Sequence, residues 1–288
     1  MKRPFNIQRI LIPIDFSETA DLAIEHGTFM ARLLKAEIVL LHVVETYSFA
    51  SSITHAFSKT QSEYDVKLES SSDEMLKEKA DKIHRSIGVP VSFMTVKGRI
   101  AKTINDVAKE KNIDIVIMGT HGTSGFQENI IGSHAAKVIS SANCPIISVQ
   151  AHAKKIGFHD IVLPIDNTTF SRQKVPVSIA LSKAYKSVIH IVGLNTLTND
   201  ELAKRFEIKV HQVKEFVEEH EVAYTVKTLK GSRLTTPLLD YCTQVNADLM
   251  IIMTDQEGAP TMQLINHTKV PVMSMQRDEG SDKISLGY

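Results

Sequence analysis

The segment RILIPIDFS (Arg9–Ser17) occurs a second time in the chain, as DIVLPIDNT (Asp160–Thr168). In each copy a short apolar run rich in isoleucine, leucine and valine leads into proline, isoleucine and aspartate. Such near-continuous runs are typical of strands that are buried on both faces of a parallel sheet. The segment therefore predicts a central parallel strand, and its recurrence predicts two of them.

Four further segments recur in the same order as this strand. VLLHVV (Val39–Val44) is matched with VIHIVG (Val188–Gly193), VKGRI from Val96 with LKGSR from Leu229, NIDIVIMGT from Asn112 with NADLMIIMT from Asn246, and CPIISVQ from Cys144 with VPVMSMQ from Val270. Because chance is a poor explanation for five matches in the same order, they indicate a tandem duplication. We expect one domain over residues 1–151, a second over 158–277, and a polar, disordered tail over 278–288.

Helical patterns separate the predicted strands in both copies. SETADLAIEHGTFMARLLKA begins with Ser17 as the predicted N-cap, and its apolar residues recur at helical spacing. A polar, mobile loop is expected from Thr46 to about Gln61, before the helix DEMLKEKADKIHRSIG. Because strands and helices alternate, the sequence predicts an α/β fold with a doubly wound, Rossmann-like sheet in each domain.

Composition excludes several classes of partner. Lysine plus arginine and aspartate plus glutamate number 33 each, so the net charge gives no reason to expect nucleic acid or an anionic membrane. No apolar run approaches the length of a membrane span. Two cysteines, Cys144 and Cys242, predict a reduced, cytosolic protein without a disulfide framework. Because no zinc-binding spacing of histidine or cysteine occurs, no metal site is expected.

The segment GTHGTSGFQENIIGS (Gly119–Ser133) lies between a predicted strand that ends at Met118 and a helical pattern that begins at Ser133. In open α/β sheets, ligands bind at this carboxyl-terminal edge of the strands. A helix N-terminus offers unpaired backbone amides to an anion, and glycine permits close approach of the backbone. Ser133 or Thr120 would add a hydroxyl donor. The segment therefore predicts a nucleotide phosphate site, with a spacing unlike the common phosphate-binding fingerprints.

This spacing, Gly119-x2-Gly122-x9-Gly132-Ser133, together with PIDFSETA (Pro13–Ala20) and LLHVV in the second strand, resembles the ATP-binding branch of the universal stress protein family. The resemblance extends closely from residue 8 to 150, and more loosely from 158 to 276. It implies a five-stranded parallel sheet flanked by helices in each domain, with ATP across the strand ends and Mg²⁺ carried on the phosphates.

By position, the resemblance assigns five residues to the adenosine end of the nucleotide. It implies that Asp15, flanked by Pro13 and Ile14, contacts the adenosine, and that Val43 and Met118 line the adenine pocket. Simpler interpretations stay open for each residue alone. A single Asp after a strand is commonly a helix cap, and Val or Met in a strand is by default a core residue.

The ribose and phosphates are assigned, again by the resemblance, to Gly119, Gly122, Gly132, Ser133 and His134. A glycine-rich loop alone is often a structural turn, so this assignment depends on the other residues at the same edge.

The second copy lacks the glycine spacing. Met253 stands where Gly119 does, Gln256 stands where Gly122 does, and the loop that follows is eight residues shorter. We therefore expect the second domain not to bind ATP in this mode. Its expected role is to pair with the first domain about a pseudo-twofold axis, through CPIISVQ and VPVMSMQ as edge strands.

Three functions remain open from the sequence. The first, which we favour, is a non-catalytic stress-response regulator that binds ATP as a switch. The second is a slow ATPase or autophosphorylating enzyme, since Thr120, Ser124 and Ser133 lie beside the expected phosphates. The third is a scaffold whose nucleotide is a structural ligand. We assign no catalytic residue, because no Walker lysine or convincing base is present and Lys137 lies a turn beyond Ser133. Expected partners are the adenine nucleotide, a second copy in a homodimer and an unidentified protein.

Overall fold

The structure of the chain is a computed structural model that describes residues 6–45, 58–120, 131–254 and 259–278, with backbone alone for 58–69 and 259–261. The strands are β1 (Arg9–Pro13), β2 (Glu37–Glu45), β3 (Val91–Gly98), β4 (Ile115–Gly119), β5 (Ile146–Val149), β6 (Asp160–Ile165), β7 (Val188–Asn195), β8 (Tyr224–Lys230), β9 (Leu249–Thr254) and β10 (Val272–Gln276). The α-helices are α1 (Glu18–Leu34), α2 (Ser58–Ile87), α3 (Ile100–Glu110), α4 (Ser133–Ser141), α5 (Val175–Tyr185), α6 (Asp200–Glu219), α7 (Thr235–Gln244) and α8 (Ala259–His267). A 3₁₀ helix (Thr169–Lys174) precedes α5.

The ten strands form one sheet in the order β3-β2-β1-β4-β5-β10-β9-β6-β7-β8. All pairs are parallel within each set of five, and β5 and β10 are antiparallel to each other. In that central ladder Ile147 stands opposite Met273, and these are corresponding residues of the two copies. A local twofold axis therefore passes between them. The predicted fold class and the predicted pairing of the two last strands are confirmed.

Helices cover both faces of the sheet. Ile10 and Ile12 of β1 pack in a cluster that includes side chains of α1, α2, α5 and α6. Leu11, between them, packs in a second cluster with side chains of α3, α4, α7 and α8. This alternation is the period-two pattern of a strand buried on both faces. It assigns α4, whose N-terminus follows the glycine segment, to the face of Leu11.

Helix α1 begins as the sequence predicts. Oγ of Ser17 accepts a hydrogen bond from the backbone nitrogen of Ala20 at 3.2 Å, so Ser17 is the N-cap. In the second copy the first turns are 3₁₀ instead of α. Pro176 at the start of α5 explains the difference, because its ring excludes the carbonyl that an α-helix would bring from four residues earlier.

Two details of the sequence interpretation are wrong. Helix α2 begins at Ser58, so residues 58–61 of the expected loop are helical, whereas 46–57 lie outside the described residues. The match of VLLHVV with VIHIVG is two residues out of register. Glu37 pairs with the first residue of β1 and Val188 with the first residue of β6, so His190 corresponds to Val39 and not to Leu41.

The domain bounds remain a prediction. At the start of the expected tail, Asp278 exchanges two backbone hydrogen bonds with the side chain of Gln173, at 2.9 and 3.0 Å. Residues 279–288 lie outside the described part of the chain. No helix among the described residues is long and apolar enough to cross a membrane.

Candidate functional site

The turn after β1 fixes Asp15 at the carboxyl-terminal edge of the sheet. Oδ1 of Asp15 accepts hydrogen bonds from the backbone nitrogen of Ser17 at 3.0 Å and from its hydroxyl at 2.5 Å. Phe16, between them, has a φ of 63°, a conformation that costs a non-glycine residue free energy and that concentrates at functional sites. Asp15 is exposed, and its Oδ2 makes no hydrogen bond within the described residues. Asp15 is therefore not the helix cap, and one of its oxygens has no donor within the part of the chain that the structure describes.

Strand β2 holds the two residues before Asp15. Pro13 stands opposite Leu41, and the backbone nitrogen of Ile14 donates to the Leu41 oxygen at 2.8 Å. Nδ1 of His42 lies 2.7 Å from the carbonyl oxygen of Ile14, so it carries the proton and donates. The side chain of Ile14 is buried in the cluster beneath α1 and α2. It therefore faces away from the side chains of Val43 and Met118.

Val43 and Met118 lie on the same face of the sheet as helix α4. Both pack in the second cluster, where they are joined by Ile131 from the segment before α4. Met118 is buried, whereas Val43 near the end of β2 is half-buried. The structure therefore brings the two predicted adenine contacts together on one face, with Val43 the more accessible.

Gly119 ends β4 directly against the first turn of α1. A Cβ on Gly119 would lie 2.6 Å from Oγ1 of Thr19 and 2.9 Å from its carbonyl carbon, which is closer than real Cβ contacts. The glycine is thus required by the packing of α1, a reason that the sequence did not reveal.

Thr120 and Gly132 close the two ends of the glycine segment. The backbone nitrogen of Gly132 donates to the carbonyl oxygen of Thr120 at 2.8 Å. The hydroxyl of Thr120 is buried, and it lies 3.4 Å from the carbonyl oxygen of Val149. Of the three hydroxyl residues predicted to lie beside the phosphates, Ser124 is outside the described residues, and Ser133 is more accessible than Thr120. Gly122, which the sequence predicted to contact phosphate, lies outside the described residues.

Helix α4 starts beside the ends of β2 and β4. Gly132 is its N-cap, and Ser133 and His134 are its first two residues. The first amides of an α-helix have no partner within the helix and carry the positive end of its dipole, so they suit an anion. Nε2 of His134 lies 3.9 Å from Oε2 of Glu45, at the end of β2. Glu45 is a residue that the sequence interpretation missed, although it directly follows the apolar run of its strand.

The corresponding edge of the second half differs in charge. Asp166 repeats the turn of Asp15, since its Oδ1 accepts from the nitrogen and the hydroxyl of Thr168 at 2.8 and 2.6 Å. Eight residues after this aspartate the second half has Lys174, where the first half has Ala23. The Lys174 ammonium is buried 3.2 Å from Oγ of Ser171. Burial lowers the pKa of Lys174 to about 8, partly offset by the Asp166 carboxylate.

No group of three or more histidine, cysteine, aspartate or glutamate residues that could hold a metal ion occurs within the described ranges. Cavities of about 540 and 580 Å³ lie away from this edge, beside Asp248 and between α1 and α2. The candidate site is therefore defined by its backbone amides and side chains, and not by a metal-binding cluster or by either of these cavities.

The sequence profile of the universal stress protein family matches residues 6–150, just over half of the chain. The chain belongs to this family. A universal stress protein of Methanocaldococcus jannaschii is 30% identical over 154 residues, which cover 50% of this chain and 94% of that protein. A second one from the same organism is 30% identical over 148 residues, covering 51% of this chain and 85% of the relative.

Solved structures of universal stress proteins extend the likeness to both halves. One from Archaeoglobus fulgidus superposes with a TM-score of 0.77 at 17% identity, over 96% of this chain and 98% of the other. A putative one from Pseudomonas aeruginosa gives 0.68 at 14% identity, over 95% and 94%. At these identities the likeness shows the fold alone, here the fold of a tandem universal stress protein.

Proposed function

We propose that the first half of this universal stress protein binds one molecule of ATP and that its occupancy serves as a signal in the stress response. The observation that carries the proposal is the bond between the Gly132 nitrogen and the Thr120 oxygen, which joins the N-terminus of α4 to the end of β4. The phosphates would meet the first amides of α4 and the Ser133 hydroxyl. The ribose or base would meet Asp15, and the adenine would lie against Val43.

The residues present fit an adenine nucleotide. Oδ2 of Asp15 is an acceptor for a ribose hydroxyl or an amino group. Gly132 lets the start of α4 lie close to the end of β4, because a Cβ there would come within 3.2 Å of the Thr120 oxygen. His134 and Ser133 add polar groups at the start of the helix. Mg²⁺ would be held mainly by the phosphates.

The second half supports the proposal as an internal contrast. It keeps Asp166 but has Met253 in place of Gly119 and a buried lysine near the turn. We propose that it does not take ATP in this mode and that it acts as the partner of the first half. The domain bounds, 1–151 and 158–277, a location in the cytoplasm and a further homodimer belong to the same proposal.

The test begins with the purified full-length chain, denatured and assayed for released nucleotide by mass spectrometry, beside calorimetry on the stripped protein. About one ATP or ADP per chain supports the proposal. Two nucleotides per chain would contradict the proposal that the second half does not bind ATP. No binding at all would reject the nucleotide function and favour a scaffold. Turnover is measured on the same sample, because sustained hydrolysis that is lost in Ser133→Ala would favour the enzyme alternative.

A further inference from the structure

Two side chains of the second half hold helix α4 of the first half and the residue that leads into it. Oδ1 of Asn266, in α8, accepts a hydrogen bond from the backbone nitrogen of Ile131 at 2.8 Å. Nε2 of Gln276, at the end of β10, donates to the carbonyl oxygen of Ile139 in α4 at 2.9 Å. The second half therefore contacts both ends of α4.

The antiparallel pairing of β5 with β10 explains how these contacts arise. It brings the carboxyl-terminal edge of the first half beside the amino-terminal edge of the second, where α8 ends. Asn266 and the carbonyl oxygen of Thr120 thus hold two successive amides, those of Ile131 and Gly132. The next residue, Ser133, is the first of α4. The entry to the helix is consequently fixed from both halves of the chain.

Among the described residues, which do not include 257, the counterpart of Ile131, the two contacts occur on one side of the twofold axis. Asn266 and Gln276 correspond to Ser140 and Gln150 of the first half. Oγ of Ser140 donates to Lys137 in its own helix, and the side-chain amide of Gln150 is buried with no hydrogen-bond partner among the described residues. An isologous interface would show each contact twice. Within the described part of the chain, both contacts therefore support the half that contains the glycine segment.

We propose that Asn266 is a positioning residue for the nucleotide and acts through the amide of Ile131. This proposal rests on the proposed function of the first half. By holding Ile131, Asn266 fixes the direction from which Gly132 and Ser133 enter α4, and hence the amides that face the phosphates. The effect belongs to the phosphate end of the ligand, because Asp15 is in the turn after β1 and Val43 is in β2, and among the described residues Asn266 makes no hydrogen bond to either element.

The experiment compares the full-length wild type with Asn266→Ala and with Gln263→Ala, an exposed residue of the same helix. Calorimetry measures the affinity for ATP and for adenosine, and amide hydrogen exchange measures the protection of Ile131 without nucleotide. We expect Asn266→Ala to bind ATP at least fivefold more weakly, with little change for adenosine and faster exchange at Ile131. The fivefold figure is roughly the lower end of typical coupling between sites. Gln263→Ala should match the wild type in all three measurements.

Coupling must also run in the other direction, so bound ATP should slow exchange at Ile131 in the wild type by a comparable factor. An ATP affinity of Asn266→Ala equal to that of the wild type would overturn the proposal. An equal loss for ATP and adenosine would overturn it as well, because that result indicates general loosening. Failure of the wild type to bind ATP would reject both proposals, whereas normal wild-type binding with an unaffected variant rejects only the role of Asn266.

Discussion

Gly119 at the end of β4 lies so close to Thr19 in the first turn of α1 that a Cβ would come within 2.6 Å of the threonine hydroxyl oxygen. Part of this contact is with the backbone of Thr19, at 2.9 Å, which cannot rotate away. The end of β4, the start of α1 and the Asp15 turn therefore cannot shift independently of one another.

We expect Gly119→Ala to destabilise the protein by about 1–3 kcal/mol, because the first turn of α1 must shift to admit the methyl group. The shift also moves the Asp15 turn, so ATP affinity should fall. Urea unfolding and calorimetry measure the two effects. Met253→Ala, at the corresponding position of the second half, should leave ATP affinity unchanged. Wild-type stability in Gly119→Ala would show that the turn is not held as tightly as its contacts indicate.

The two oxygens of Asp15 have separable roles. Asp15→Asn keeps an acceptor for Ser17 but replaces the outward oxygen by an amide, so it should weaken ATP binding with little effect on stability. Asp15→Ala should weaken ATP binding and should also lower the free energy of unfolding by about 1 kcal/mol. Asp166→Asn and Asp166→Ala are matched controls, because Asp166 makes the same two contacts with Thr168. If the Asp166 variants weaken ATP binding equally, Asp15 does not contact the nucleotide.

Lys174 should make stability depend on pH in the alkaline range. Its pKa is about 8 in the folded protein, against the ordinary lysine value of 10.5, so the unfolded chain binds more protons between these values. The free energy of unfolding therefore rises from pH 8 to 10.5. At pH 7 the buried charge costs about 3 kcal/mol, and Lys174→Met should recover much of this and flatten the profile. Lys183→Met, on the exposed face of α5, should keep the wild-type profile.

His26 should make stability fall in acid. Its Nε2 lies 2.9 Å from the carbonyl oxygen of Ala153 and donates to it, whereas its Nδ1 is buried with no partner among the described residues. Burial lowers the pKa of His26 below 6.5, so the unfolded chain binds the proton first as the pH drops through that value. The loss is at most about 1.4 kcal/mol per pH unit.

Urea unfolding between pH 7 and 5 tests this expectation. His26→Gln, which keeps a donor for Ala153, should reduce the loss of stability in acid, and His267→Gln, an exposed histidine, should not. An identical acid profile for the wild type and His26→Gln would assign the loss to other groups.

Much of the fold could be predicted because the strands are repeated. The alignment of Gly119 with Met253 agrees with the register, since Ile10 pairs with Ile115 as Ile161 pairs with Leu249. The alignment of β2 with β7 was wrong by two residues, because an unbroken apolar run contains no distinctive residue that fixes its register. Only the pairing with neighbouring strands decides that register. The 3₁₀ turn had a signal, Pro176, which the sequence interpretation did not use.

The candidate site was predicted less completely. Asp15, Ser133 and His134 could be placed at this edge from the sequence because they follow a strand or begin a helix, and their contact with nucleotide stays a prediction. The side chain of Ile14 faces the other way, since the period of a strand carries it into the cluster beneath α1. Asn266 had no local signal, because its contact with Ile131 spans 135 positions of sequence and exists only through the β5–β10 pairing.

The ladder in which Ile147 faces Met273 also bears on how such a protein can change over generations. In a homodimer built on this edge, every substitution would appear on both sides of the axis, so a benefit to one site is tied to its effect on the other. Here each position is encoded separately. One side has Gly119, while the other has Met253, Lys174 and Asn266. A covalent joint thus permits the two halves to differ in a way that a symmetric homodimer would forbid.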